Sequence, residues 1–119
     1  MLPLHKPLAV PLFFLMLLVA TYGFLKDVSA VPSNLMPNDK VMHVLVFFAL
    51  TLSFMQAFIR PFWQSFTLLA LYGALIEVAQ ATFTSRMGDP IDWLADVAGI
   101  LLAALLVRYL PAHWFSRPA

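Results

Sequence analysis

Three pairs of polar residues at helical spacing are the positions in this chain most able to carry chemistry. They are Asp39 and His43, Glu77 and Gln80, and Asp92 and Asp96. Because positions three or four apart lie on the same face of a helix, each pair presents its polar side chains in one direction. The flanking residues are strongly apolar, and an acid inside an apolar membrane helix indicates a function by default. Glu77 has no capping position to explain it and is therefore the strongest candidate.

These residue types suit proton transfer or the binding of a polar ligand. A carboxylate or imidazole within reach of a substrate proton can act as a general base, which makes Glu77, Asp92 and His43 the candidates for catalysis. One imidazole with several carboxylates is also a suitable set for zinc or manganese. However, the chain has no H-x-x-x-H or E-x-x-H spacing, and it has no cysteine. We therefore expect no metal site and no other cofactor.

Several of these residues also have a purely structural interpretation. Asp89 precedes Pro90, which is typical of an N-cap followed by proline at the first helical position. Asp92 and Asp96, in the first turns of the same helix, would interact favourably with the helix dipole. Arg86 fits an interfacial anchor or an ion-pair partner of these acids. The alternative to a functional site is thus a polar cluster that only holds the helices together.

The elements that carry these residues are four long apolar stretches. Hydrophobic residues make up 62% of the 119 positions and charged residues only 11%, well below the roughly 25% of soluble domains. The stretches run over Pro7–Leu25, Lys40–Ile59, Phe62–Phe83 and Ile91–Leu110, each close to the ~20 residues that cross a hydrocarbon core. A backbone in hydrocarbon must satisfy its own hydrogen bonds, so the sequence predicts an all-α integral membrane four-helix bundle. We expect a single domain over residues 1–119.

The first stretch has a second interpretation, as a signal peptide. Lys6 precedes the apolar run, and Val28-Ser29-Ala30 resembles a cleavage site of small residues. The run is long for such a segment, however, and Lys26 and Asp27 separate it from the small residues. We therefore expect a retained membrane helix.

Short connections bring the polar pairs to the same end of the bundle. A turn-rich loop covers Ala30–Asn38, Arg60-Pro61 joins the second and third helices, and Thr84–Pro90 joins the third and fourth. With about 1.5 Å of rise per residue, roughly 5–12 Å below one surface is the expected depth of His43, Glu77, Gln80, Asp92 and Asp96, which lie on three helices. Deeper in the fourth helix, small residues at every fourth position predict close packing on a neighbouring helix; they are Ala95, Gly99 and Ala103.

The distribution of basic residues predicts which side of the membrane the polar pairs face. One end of the bundle has Lys6, Arg60, Arg108 and Arg117, and the other has Lys26, Lys40 and Arg86. By the positive-inside rule, both termini are then cytoplasmic and the polar pairs face outward. The formal net charge is +1 and no basic run occurs, so we expect no binding of nucleic acid.

The order and spacing of the polar residues resemble those of the VanZ-like membrane proteins. Asp39-Lys40-Val-Met-His43, followed by Phe47-Phe48, resembles the Asp-Lys-x-x-His-x-x-x-aromatic opening of the family pattern. The segment from Gly73 to Gln80 is similar to its Gly-x-x-x-Glu-x-x-Gln segment, and that from Arg86 to Gly99 to its Arg…Asp-x-x-x-Asn-x-x-Gly segment. The resemblance covers about Asp39–Leu110. It departs at Asp96, where the family pattern has asparagine.

The resemblance implies a small multi-pass protein of the bacterial inner membrane. The family takes its name from a protein linked to low-level resistance to teicoplanin, which does not supply a biochemical activity. We expect an outward-facing pocket whose polar groups bind membrane lipids, or a lipid-linked or glycopeptide-type ligand. The expected ligand-binding residues are Asp39, Lys40, His43, Glu77, Gln80, Arg86, Asp92 and Asp96.

Other classes of function remain open at this point. A membrane enzyme acting on a lipid-linked substrate would use Glu77, Asp92 or His43, with the base and the reacting group in one cavity. A structural or accessory subunit would have every polar group paired and no cavity. A transporter would need an oligomer, because four helices enclose little volume. We favour a binding protein over an enzyme.

Overall fold

Four α-helices make up the described part of the chain. The computed structural model describes residues 6–26, 39–58, 60–83 and 90–111. Within these ranges the regular elements are helices only, α1 (Lys6–Leu25), α2 (Asp39–Ala57), α3 (Phe62–Phe83) and α4 (Pro90–Val107). All four are long and apolar enough to cross a membrane. The predicted all-α membrane protein with four spans is confirmed, whereas Val28-Ser29-Ala30 and the loop Ala30–Asn38 lie outside the described residues.

The helix ends lie close to the predicted ones, with one clear difference at the end of α4. The apolar run predicted a helix to Leu110, whereas α4 ends at Val107. There the backbone amides of Arg108, Tyr109 and Leu110 bond to carbonyls three residues back, so the last turn is tightened instead of continued. Pro111 follows, and the residue before a proline is disfavoured in the helical conformation.

The bundle buries polar groups and exposes apolar ones, as expected for helices in lipid. Large apolar side chains such as Leu71, Leu75 and Val78 of α3 are more than half exposed. The buried polar side chains are those of His43, Thr51, Ser53, Ser65, Gln80, Asp92 and Asp96. Two of the buried hydroxyl groups bond to backbone carbonyls one turn earlier, Thr51 to Phe47 at 2.7 Å and Ser65 to Pro61 at 3.5 Å. The acids and the histidine depend on contacts between helices instead.

The most extensive helix pairing joins α2 and α4, which are not neighbours in sequence. Gly99 allows the close approach, because a Cβ there would lie 2.4 Å from the carbonyl oxygen of Val44 and 3.0 Å from the amide nitrogen of Phe48. The predicted close packing of small residues is therefore confirmed at Gly99. Ala103 is also fully buried, and Ala95 is half-buried.

Helix α1 completes the bundle by packing on α2 and α3. Phe13 of α1 contacts Phe54 of α2 and Phe58, which follows the end of α2, edge to face with ring centroids 5.4 and 5.7 Å apart. Two turns further along, the hydroxyl oxygens of Thr21 and Tyr72 lie 2.6 Å apart and link α1 to α3. These contacts fix the direction of α1, so its last turn is held beside the polar end of the bundle.

Candidate functional site

His43 is the centre of the polar cluster and is entirely buried. It lies in the second turn of α2, and its Nδ1 is 2.5 Å from Oδ1 of Asp96 on α4, which is also entirely buried. An ionised carboxylate only accepts hydrogen bonds, so beside ionised Asp96 the Nδ1 atom carries a proton and donates it to Asp96. The close approach of α2 and α4 at Gly99, one turn along α4, brings the two side chains together.

The other ring nitrogen of His43 faces two further carboxylates. Nε2 lies 3.7 Å from Oε1 of Glu77 on α3 and 3.9 Å from Oδ2 of Asp92 on α4. The side chain of Glu77 is 11% exposed and that of Asp92 is 4% exposed. Both distances fall within the ~8 Å expected of groups in direct or single-water contact. Three helices thus bring one imidazole and three carboxylates together.

Lys40 is the exposed end of this cluster. Its Nζ lies 3.0 Å from Oδ1 of Asp92, and its side chain is 47% exposed. The ion pair uses the Asp92 oxygen other than the one nearest His43, so the two carboxylate oxygens have different neighbours. An ammonium group with this exposure can also meet an anionic group that approaches from outside the bundle.

The last turn of α1 covers His43, which the sequence did not predict. The ring of Phe24 stacks on the imidazole with centroids 4.5 Å apart and planes inclined by 29°. The side-chain amide of Gln80 donates to the backbone carbonyl of Phe24 at 2.9 Å, so α3 holds the end of α1 in place. Phe24 is one of eleven phenylalanines in the chain, and no spacing distinguishes it from the others.

Gly73 leaves room for Asp96. A Cβ at Gly73 would lie 2.6 Å from Oδ2 of Asp96 and 3.3 Å from Cζ of Phe47. Gly73 stands one helical turn before Glu77, so α3 contributes to the cluster in two ways. It supplies an acid at Glu77 and, one turn deeper, the space that the acid of α4 occupies.

Most of the predicted ligand-binding residues have described side chains. Those of Lys40, His43, Glu77, Asp92 and Asp96 form the cluster, while Gln80 bonds to the end of α1. Arg86 and the candidate N-cap Asp89 lie outside the described residues, as does the side chain of Asp39. Helix α4 begins at Pro90, which agrees with a proline at the first helical position.

The geometry of the cluster is suited to proton transfer, to the binding of a polar group or to the binding of a cation. A carboxylate on Nδ1 orients an imidazole so that Nε2 can act as a base or as a metal ligand. Donor atoms of His43, Glu77 and Asp96 also lie within 4.8 Å of one another. The expectation of no metal rested on the spacing of residues within one helix. These three residues come from different helices, so that spacing does not decide whether an ion fits.

A comparison with protein families identifies the chain. The family model described as VanZ/LLP1 matches residues 7–111, nearly the whole chain. The chain belongs to the VanZ/LLP1 family. The VanZ/LLP1 match begins in α1 and ends just beyond α4, so it extends the predicted resemblance over Asp39–Leu110 to include Phe24 and the helix that covers His43. No curated protein and no solved structure gives a significant match.

Proposed function

We propose that this VanZ/LLP1-family protein binds the polar head of an envelope- or lipid-related molecule at the polar end of its bundle. The observation that carries the proposal is the position of Glu77, whose carboxylate lies on a membrane-crossing helix 3.7 Å from a fully buried histidine. Ionisable groups at such depth are costly and mark the sites of ligands or ions. Membrane lipids and lipid-linked or glycopeptide-type molecules are the proposed partners.

The charges around the cluster favour a ligand with both an anionic group and hydrogen-bond donors. Lys40 is paired with Asp92 yet remains 47% exposed, and Arg86 follows α3 in the sequence. These cations suit a phosphate or carboxylate, to which charge-assisted hydrogen bonds are strong. The carboxylates of Glu77 and Asp92 are acceptors that suit hydroxyl or amide donors on the same molecule.

The proposed location is the outer surface of the bacterial inner membrane. Arg60 and Arg108 lie at the end of the bundle opposite Lys40, since consecutive helices alternate in direction. The excess of basic residues at that end supports a cytoplasmic placement for both termini. A ligand would then reach the cluster from the external side.

Native mass spectrometry of the detergent-purified protein with its co-purified lipids tests the proposal. Glu77→Gln keeps the size and polarity of the side chain and removes its charge. We expect the wild-type protein to retain a lipid adduct that Glu77→Gln loses by about tenfold, the effect of roughly 1.4 kcal/mol. Thr67→Val serves as the control, because Thr67 is exposed on the same helix and bonds only locally to Trp63 among the described contacts. Equal adducts on all three proteins would contradict the proposal.

A second candidate function is an enzyme that acts on a lipid-linked substrate. The specific observation that favours it is the pair of His43 and Asp96, because a carboxylate on Nδ1 orients an imidazole as a general base. In that case His43, Glu77 or Asp92 would take the proton of the attacking group. Release of a labelled headgroup from membrane extracts by the wild-type protein, and its loss in His43→Gln, would support this function. Adduct retention without turnover would support binding alone.

A link to teicoplanin resistance is proposed on the family resemblance and on the proposed ligand class. Expression of the chain in a susceptible host should then raise the inhibitory concentration of teicoplanin, and Glu77→Gln should cancel the effect. An unchanged inhibitory concentration, with wild-type protein present in the membrane, would separate the binding function from resistance.

A further inference from the structure

The end of the bundle opposite the polar cluster has cations but no acids. His43, near the start of α2, contacts Asp96, near the start of α4, so these two helices run in the same direction and finish at the same end of the bundle. Arg60 follows α2 and Arg108 follows α4. All six acidic residues of the sequence fall between α1 and α2, between α3 and α4, or in the two helix turns next to those connections. The two ends of the bundle therefore differ in the sign of their charge.

The guanidinium groups of Arg60 and Arg108 are accessible from outside the bundle. Both side chains are exposed, and within the described residues neither makes an ion pair or a side-chain hydrogen bond. Lys40 at the other end differs, because its ammonium group is paired with Asp92 at 3.0 Å. Each arginine follows the C-terminus of a helix, where a positive charge is favourable. That position accounts for the charge but leaves the five N–H donors of each guanidinium group available to an anion.

Exposed aromatic residues place these arginines at the level of lipid headgroups. Trp63 lies in the first turn of α3, three residues after Arg60, and is 66% exposed, while Tyr109 is next to Arg108 and is 80% exposed. Tryptophan and tyrosine near the ends of membrane helices lie at the headgroup level. The indole N–H and the phenol hydroxyl add two donors beside the guanidinium groups. We call these four residues the basic end.

The helix surface next to the basic end is apolar on α4. Leu102, Leu105 and Leu106 precede Arg108 and are 49%, 51% and 38% exposed. A partner of the basic end therefore meets positive charge and hydrogen-bond donors beside an apolar face. A phospholipid suits both parts, because its phosphate accepts bidentate hydrogen bonds from arginine and its acyl chains cover the leucines. Free phosphate suits only the first part.

We propose that the basic end binds the headgroup of an anionic phospholipid through the guanidinium groups of Arg60 and Arg108. Trp63 and Tyr109 are further donors at the same level. A basic residue beside a membrane helix strengthens the attraction of anionic lipid about fivefold, the equivalent of ~1 kcal/mol. A zwitterionic headgroup is disfavoured, because its own cation would meet those of the basic end. The proposal is independent of the ligand proposed at the polar cluster and of the side of the membrane that the basic end faces.

Native mass spectrometry of the full chain in non-ionic detergent measures this binding. The delipidated protein is titrated with dioleoylphosphatidylglycerol, which is anionic, and with dioleoylphosphatidylcholine, which has the same acyl chains and no net charge. We expect the first phosphatidylglycerol to bind about 25-fold more tightly, at about fivefold for each arginine. Inorganic phosphate at the same concentration should not displace it. Equal binding of the two lipids, or displacement by inorganic phosphate, would overturn the proposal.

Variants assign the binding to the basic end. Arg60→Gln and Arg108→Gln should each weaken phosphatidylglycerol binding about fivefold, and Arg60→Lys should weaken it less, because the charge remains while the bidentate geometry is lost. Lys26→Gln is the matched control, since Lys26 is exposed and follows α1 at the other end of the bundle.

Far-ultraviolet circular dichroism reports the folding of each variant. Equal losses of phosphatidylglycerol binding in Lys26→Gln and in the two folded glutamine variants of the arginines would show a general effect of charge and overturn the proposal. The co-purified adduct that Glu77→Gln is expected to lose is measured separately. If that adduct is missing from the wild-type protein, the result counts against the function proposed for the polar cluster and leaves the basic end standing as a lipid site.

Discussion

Oδ1 of Asp96 lies 2.5 Å from Nδ1 of His43, and both side chains are entirely buried. The two residues are 53 positions apart and belong to the helix pair with the most extensive packing. Asp96 is also the position at which the chain departs from the VanZ-like pattern, where the resemblance predicts asparagine. An asparagine carbonyl could accept the same hydrogen bond without the charge. The departure therefore changes the charge beside the histidine while preserving a bond to it.

This relationship predicts a difference between two substitutions at Asp96. Asp96→Asn keeps an acceptor for the Nδ1 proton and should cost little stability. Asp96→Ala removes the acceptor and leaves a buried donor unsatisfied, which should cost about 1–3 kcal/mol. Thermal unfolding in detergent measures both. Equal unfolding temperatures for Asp96→Ala and wild-type protein would show that the bond does not stabilise the fold.

Gly99 should tolerate no side chain. A Cβ would lie 2.4 Å from the backbone oxygen of Val44, and a helix backbone cannot yield as a side chain can. Gly99→Ala should therefore destabilise the bundle by about 1–3 kcal/mol, and Gly99→Leu by more. Gly23→Ala is the matched control, since nothing lies within 4 Å of a Cβ at Gly23. The prediction fails if the two alanine variants unfold at the same temperature.

Gly73→Ala should disturb the cluster more than the fold. The added methyl group would meet Oδ2 of Asp96 at 2.6 Å and Cζ of Phe47 at 3.3 Å, both of which are side-chain atoms that can shift. We expect Asp96 to move away from Gly73 and alter the orientation of His43. The readout is the retained lipid adduct, compared with that of Gly23→Ala. A wild-type adduct on Gly73→Ala would show that this space is not needed.

The hydrogen bond between Thr21 and Tyr72 should contribute to the attachment of α1. Their hydroxyl oxygens lie 2.6 Å apart, and Thr21 also donates to the carbonyl of Leu17, so the Tyr72 hydroxyl is the donor to be removed. Tyr72→Phe should cost about 0.5–1.5 kcal/mol. Tyr22→Phe is the control, because Tyr22 is next to Thr21 in α1 and its side chain is 67% exposed. If both phenylalanine variants lose the same stability, the hydrogen bond between the helices contributes nothing.

The proposed orientation is tested by fusions of reporter enzymes. A cytoplasmic reporter should be active when fused after Arg60, and an external reporter when fused after Arg86, because the intervening α3 crosses the membrane once. The reverse activities would place the polar cluster on the cytoplasmic side. A mature chain that begins near Val31 would show instead that α1 is removed.

The sequence predicts the helices and the depth of the polar residues, but not how each helix is turned about its axis. Depth follows from counting residues along apolar runs, and it correctly brings His43, Glu77 and Asp92 to one level. The rotation of a helix about its axis can be predicted from the sequence only where one side of the helix is polar and must be buried. His43 on α2 and Asp96 on α4 provide such a side, and both face the bundle interior as expected.

Helix α1 shows where this reasoning fails. Its described residues are apolar on almost every side, so neither periodicity nor charge indicates that Phe24 should face His43. The hydrogen bond from Gln80 to the Phe24 carbonyl cannot be predicted from the sequence either, because its acceptor is a backbone atom that every residue has. The space left by Gly73 depends on where α4 places Asp96. Each of these features is a property of two helices together.

The pairing of α2 with α4 has a consequence for how the protein is made. The helices emerge from the ribosome in the order α1, α2, α3 and α4, so His43 is synthesised 53 residues before Asp96. At about 5–20 residues per second, that interval is roughly 3–10 s. During it, α2 is without the helix on which it packs most extensively. The hydrogen bond between His43 and Asp96 can therefore form only after α4 has been made, so the pairing of α2 with α4 is a late step of folding.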